Sequence, residues 1–157
     1  MNDKQVGNKH KGCIGEHYAM YDACKKGYLV GKITESDLLG YDFVMDDGEK
    51  LYRVEVKTSD KSRKSEPTGI TFDDRVVFDL TTKSNCGNTN RYNHVHWFAL
   101  FCPRFNKIAW IKKENVDSKK TLYRTDFEHL QLPVNDKLKD LTIVNEEDDN
   151  DNQECLF

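Results

Sequence analysis

A chain of 157 residues suits one hydrophobic core better than two. With 37% hydrophobic and 32% charged residues, a mean hydropathy of -0.79 and no apolar run near the ~18 residues of a membrane span, the composition excludes a helical membrane protein. The net charge of -3 hides an asymmetry: residues 145–157 carry six acids and no base, which leaves the preceding body with 24 bases against 21 acids.

That mildly basic body is compatible with a nucleic-acid partner without requiring one. Residues 1–10 are polar and basic with no apolar stretch of a secretory signal, so a flexible N-terminus and an intracellular location are expected. The acidic residues 145–157 are expected to form a solvated, disordered tail. Five cysteines (Cys13, Cys24, Cys86, Cys102, Cys155) are odd in number and lack a Cys-x-x-Cys pair, which argues for reduced thiols rather than a disulfide framework or a zinc ribbon.

Ile14, His17, Tyr18, Tyr21 and Cys24 recur at helical spacing, and Gly27 follows a cationic last turn, so residues 11–26 are expected to be helical. Residues 28–33 read as a short strand, with a possible helical turn at 35–39. Two strand-like runs, 41–46 and 49–58, flank Asp47-Gly48, a strong hairpin signal. Residues 61–69 read as a loop, 75–80 as a strand and 84–93 as a loop. Residues 95–102 are nearly all apolar, as in a central strand buried on both faces, and 107–112 return as its partner. From 121 to 144 the pattern is weak, with a short helix expected in 123–130.

If Asp47 and Gly48 alone form the hairpin loop, paired residue numbers sum to 95, and Asp42 has Glu55 as its diagonal neighbour. The two-residue period then puts Arg53, Glu55 and Lys57 on Asp42's face, while Val54 and Val56 pin the other face to the core. Two carboxylates this close raise one another's pKa unless a cation joins them. Mg²⁺ accepts one or two carboxylates and is completed by water and phosphate oxygens, and a nearby lysine can polarise the phosphate. Phosphodiester hydrolysis is the matching chemistry. A solvated, salt-bridged strand face is the competing reading of this spacing taken alone. Glu16 sits at the edge of the helix's apolar arc, from where it can look along the sheet.

The string Lys11-Gly12-Cys13-Ile14-Gly15-Glu16, followed by Gly27-Tyr28-Leu29-Val30, Gly40-Tyr41-Asp42-Phe43-Val44 and Leu51-Tyr52-Arg53-Val54-Glu55-Val56-Lys57-Thr58, resembles the PD-(D/E)xK nuclease superfamily. Within it the likeness is to the branch of small group I intron homing endonucleases, and more distantly to archaeal Holliday-junction resolvases. Trp97 to Pro103 and Lys107 to Ile111 resemble that branch's later strand pair.

This resemblance implies an α/β, restriction-endonuclease-like αβββαβ core with a mixed central sheet, spanning residues 11–144. It implies a Mg²⁺-dependent DNA endonuclease, with Mn²⁺ as a substitute ion. The metal falls to Asp42, Glu55 and Val56, the stabilising or water-orienting role to Lys57, and an assisting role to Glu16. Tyr-Asp replaces the name-giving Pro-Asp, and Glu55 stands where relatives often have glutamine. The second core helix is hard to find between residues 84 and 94. DNA contacts are expected from Lys61, Arg63, Lys64 and Arg91. Because one centre cuts one strand, a homo-dimer or higher oligomer is expected for a double-strand break. The alternatives are a resolvase-type, structure-selective nuclease and a catalytically inactive nucleic-acid-binding module. A zinc site from His94, His96, Cys86 and Cys102, or a Cys13–His17 catalytic pair, is a weaker reading of those residues.

Overall fold

The first element is a helix that the apolar periodicity locates but aims wrongly. In the computed structural model, which describes residues 3–33, 40–64, 71–80, 92–116 and 119–138, helix α1 spans Asp3–Lys25. It begins well before residue 11, so residues 3–10 are helical rather than the expected flexible lead. Its buried face is Gly15, Ala19 and Ala23, spaced four apart, whereas Ile14 and Tyr21 of the predicted stripe are 46% and 65% exposed. Small residues let the helix lie close to a sheet, yet they add little to an apolar pattern. The C-terminus follows expectation: Gly27 has φ +86, its N–H donates to Cys24 O, and the Tyr28 N–H reaches back to Ala23 O. These are the two bonds of a Schellman motif.

Strands β1 (Leu29–Lys32), β2 (Phe43–Asp46), β3 (Leu51–Thr58), β7 (Trp97–Cys102) and β8 (Lys107–Lys112) form one sheet in the order β1-β2-β3-β7-β8. Only β3 and β7 run parallel. The expected mixed central sheet is therefore present, with β7 in its interior. The hairpin register differs from the expectation: Phe43 pairs with Val54 and Asp46 with Leu51, so the numbers sum to 97 and the loop has four residues. The reason is Asp47, which leaves the ladder and turns its carboxylate inward. There it accepts the Glu49 and Lys50 N–H groups, the Tyr52 hydroxyl and Lys137 Nζ. Burial opposes its charge, but these four donors outweigh that and hold its pKa at about 2. A slip of two preserves which face each side chain occupies.

Two apolar layers flank the sheet. On one side Ala19 and Ala23 of α1 pack with Phe43, Met45, Val54, Val56, Ala99, Phe101 and Trp110. On the other, Phe98, Leu100 and Ile111 pack against β6 (Arg75–Asp79), β9 (Lys119–Tyr123) and the short helix α2 (Asp126–His129). Strand β6 was expected; its partner β9 was not, and the two form a separate antiparallel ribbon. Part of the expected loop at 61–69 is also a strand, β4 (Arg63–Lys64), paired with β5 (Thr71–Phe72). Residues 131–138 strap the α1 side together. Asn135, 5% exposed, donates to Gly27 O and Asp47 O, and its N–H bonds Lys26 O. The possible turn at 35–39, the expected second core helix within 84–94 up to residue 91, and the acidic tail lie outside the described residues.

Candidate active site

Beyond its buried middle, β3 carries polar residues toward the N-terminal half of α1. Continuing the observed hairpin register by one residue sets Asp42 directly opposite Glu55 rather than diagonal to it. Asp42 is tied to β3 twice: its N–H donates to Val54 O at 2.8 Å, and its Oδ2 accepts the Val56 N–H at 2.7 Å. Glu55 is only 4% exposed and is ion-paired with Lys57 Nζ. The Lys57 ammonium lies 5.0 Å from the centroid of the Tyr92 ring, itself seated edge-on against Phe98. Lys57 is thus held from two sides.

Glu16 arrives from α1, and its arrival depends on Gly15. A Cβ at that position would lie 1.9 Å from Thr58 Oγ1 and 3.3 Å from Thr58 Cβ, so the helix can approach β3 this closely only without a side chain there. Glu16 Oε2 lies 3.5 Å from Lys32 Nζ on β1. The structure therefore brings Glu16, Asp42, Glu55, Val56, Lys57 and Lys61 to one cleft of about 410 Å³, whose walls also include Asn8, Lys11, Gly12 and Asp60. Arg63 and Lys64 contribute backbone to β4, and Arg91 lies outside the described residues.

The electrostatics follow from this crowding. Burial pushes the Asp42 carboxyl up, Glu55 adds to the rise and Glu16 adds less; the Val56 N–H and the Lys57 ammonium pull the other way, leaving a pKa of about 7. For Lys57 burial favours the neutral amine, but Glu55 and then Tyr92 outweigh it and raise its pKa. Lys57 is therefore an ammonium at neutral pH. Two carboxylates facing one another in a polar cleft, one of them holding its proton up to about neutral pH through burial and its acidic neighbour, form a donor set suited to a hard divalent cation. The Val56 side chain is buried in the core, so its main-chain carbonyl is the only donor it can add. Among the described residues no three His, Cys, Asp or Glu side chains converge for a metal. Glu16, engaged by Lys32, stands apart from the pair.

The weaker sequence candidates are engaged elsewhere. His96 Nδ1 accepts the Arg53 N–H at 2.9 Å while the His96 backbone N–H donates to Arg53 O, so His96 extends the β3–β7 junction. Burial, Arg53, Lys50 and Lys113 all lower its pKa, which suits a neutral accepting imidazole. Cys102 is buried in the core, and Cys86 lies outside the described residues. Cys13 and His17 do meet, Sγ to Nδ1 at 3.5 Å, but on the exposed side of α1. Sequence reasoning missed Tyr92, Lys32 and Lys11. Tyr92 had no signal, since it follows a polar stretch and reaches Lys57 only through the fold.

Two solved nuclease structures are similar to this chain. A bacterial homing endonuclease, I-Ssp6803I, matches with a TM-score of 0.54 and 27% sequence identity, over 73% of this chain and 76% of its own. The Holliday junction resolvase Hjc of the archaeal hyperthermophile Archaeoglobus fulgidus is a looser likeness, with a TM-score of 0.45 and 14% identity over 79% of this chain and 92% of its own. No match was found among curated proteins. The family model of the PD-(D/E)XK endonucleases matches residues 6–136, from the first turns of α1 to the strap that closes the fold, and the chain belongs to that family.

Proposed function

We propose that this protein is a divalent-metal-dependent endodeoxyribonuclease of homing or restriction type, with Asp42, Glu55 and Lys57 as its working residues and Glu16 assisting. The observation that carries the reading is the apposition of the Asp42 and Glu55 carboxylates with the Lys57 ammonium at the wall of one open cleft. The match to a bacterial homing endonuclease supports the choice of substrate class.

Asp42, Glu55 and the Val56 carbonyl would hold Mg²⁺, or Mn²⁺ in its place, and the bound ion would supply neutralisation of phosphate charge and a more acidic water. Each side chain has a separable task. The Val56 N–H fixes one Asp42 oxygen, Oδ2, which leaves Oδ1 for the ion. Lys57, kept protonated by Glu55 and seated over Tyr92, stabilises the charge that grows on the phosphate oxygens; its raised pKa makes it a poor general base. Glu16, half-screened from solvent beside Lys32, is placed to orient water at the cleft edge. Lys61 opens toward solvent and, with Arg63, Lys64 and Arg91, is assigned to DNA phosphates. A double-strand break needs two such centres, so the working form is a homo-dimer or larger.

The test is incubation of supercoiled plasmid, linear duplex and a synthetic four-way junction with wild type and Glu55→Ala, in Mg²⁺ and in EDTA. Nicking or linearisation in Mg²⁺ alone, lost in the variant, is expected. Junction-selective cutting would reassign the substrate to branched DNA. DNA binding with no cleavage under any condition would make the protein a non-catalytic binding module.

A further inference from the structure

Helix α1 buries no side chain from Gly7 to Ile14. Gly7 to Lys11 are all exposed, and the next buried position is Gly15, about 12 Å along the helix from Gly7. Residues 4–15 include three lysines and no acid. Glycine is disfavoured inside a helix, and Gly15 has a packing reason to be there; Gly12 has none, since a Cβ on it would meet nothing within 4 Å. Yet Gly12 lines the same cleft as Asp42 and Glu55, on one helical face with Asn8, Lys11 and Glu16. Lys11 reaches across to Asp60 at 2.7 Å, a pair with both partners about half exposed. An exposed pair of this kind exchanges readily for a stronger anion.

We propose that the Asn8, Lys11 and Gly12 face of α1 is a second wall of the substrate groove, on which the DNA backbone flanking the scissile phosphate rests. Lys11 leaves Asp60 for a phosphate, the Asn8 amide donates to a neighbouring phosphate oxygen, and Gly12 supplies the clearance that lets the strand approach the helix. This rests on the nuclease reading of the cleft, and it adds Asn8, Lys11 and Gly12 to the residues assigned to DNA.

The experiment is fluorescence anisotropy with a random-sequence 30-bp duplex, across a salt series without divalent metal, on the full chain. It compares wild type, Lys11→Gln, Gly12→Leu and, as a charge control at the far end of α1, Lys25→Gln. Lys11→Gln should weaken binding about threefold or more and lower the salt slope by about one, as for one lost phosphate contact. Gly12→Leu should weaken binding about tenfold while its Tm is no lower than wild type, because the protein leaves that space open. Lys25→Gln should match wild type. Wild-type affinity in both Lys11→Gln and Gly12→Leu would overturn the proposal and leave the nuclease reading intact. A wild-type protein that neither binds nor cuts DNA would overturn both.

Discussion

Asp42 and Lys57 titrate in ways that make their environments measurable one residue at a time. The folded state raises the Asp42 pKa from 3.8 to about 7, so between about pH 4 and pH 7 the native, metal-free protein holds a proton that the unfolded chain releases. Its contribution to stability is therefore fully present below about pH 4 and is lost as pH rises through 7. Asp42→Asn removes that titration. In chemical denaturation without metal the variant should be more stable than wild type at pH 8, with the difference shrinking toward pH 4; a gap independent of pH would contradict the assigned environment. Lys57→Ala should lower the cleavage rate about 10²- to 10³-fold, the scale for losing one positioned charge-stabilising donor, in a protein that still folds. A rate near wild type in a steady-state cleavage assay would remove Lys57 from the chemistry. At this scale strand alternation put Asp42, Glu55 and Lys57 on one face in the sequence, and the observed register keeps them on one face. The sequence was silent about Tyr92, whose contact with Lys57 spans 35 positions along the chain.

Elements were legible where a local rule decides them and obscure where a distant partner does. The face of β3 was readable because Val54 and Val56 alternate with Glu55, and a slip of two residues leaves that alternation unchanged. The register itself was not, since the inward turn of Asp47 is stabilised by Tyr52 and by Lys137, far along the chain. Likewise α1 was detected, but through residues that face solvent, because its packing face is glycine and alanine. That face yields a direct test. Gly15→Ala would press a methyl group onto Thr58, and overpacking of this kind costs about 1–3 kcal/mol. It should also retract Glu16 and slow cleavage. Thr58 Oγ1 is buried without a hydrogen-bond partner, so Thr58→Ala should itself cost little and should recover part of the Gly15→Ala loss in the double variant. Urea midpoints that add without recovery would show that the helix and strand do not meet there.

Across the whole molecule, the cleft and the closing strap occupy different ends of α1. The Gly15 end meets Thr58 at the cleft, whereas Gly27 meets Asn135, which also bonds the hairpin loop at Asp47 O. Asn135→Ala leaves two backbone carbonyls without their buried donor and should cost about 1–3 kcal/mol in urea denaturation. Cleavage by the folded fraction should be unchanged; a matching loss of activity would mean that the two ends are coupled. The interior place of β7 and its pairing with β8 were accessible from the apolar run and its return. The β6–β9 ribbon was not, since lysine-rich residues 119–123 have no strand signature apart from the partner that pairs with them.

The proposed nuclease chemistry depends most on a cation being gathered by Asp42 and Glu55. Titration calorimetry of Mn²⁺ into the protein, with a non-cleavable duplex present, measures this directly. About one ion per chain should bind to wild type, with uptake lost in both Asp42→Asn and Glu55→Gln. Equal uptake in all three proteins, or none in wild type, would contradict it.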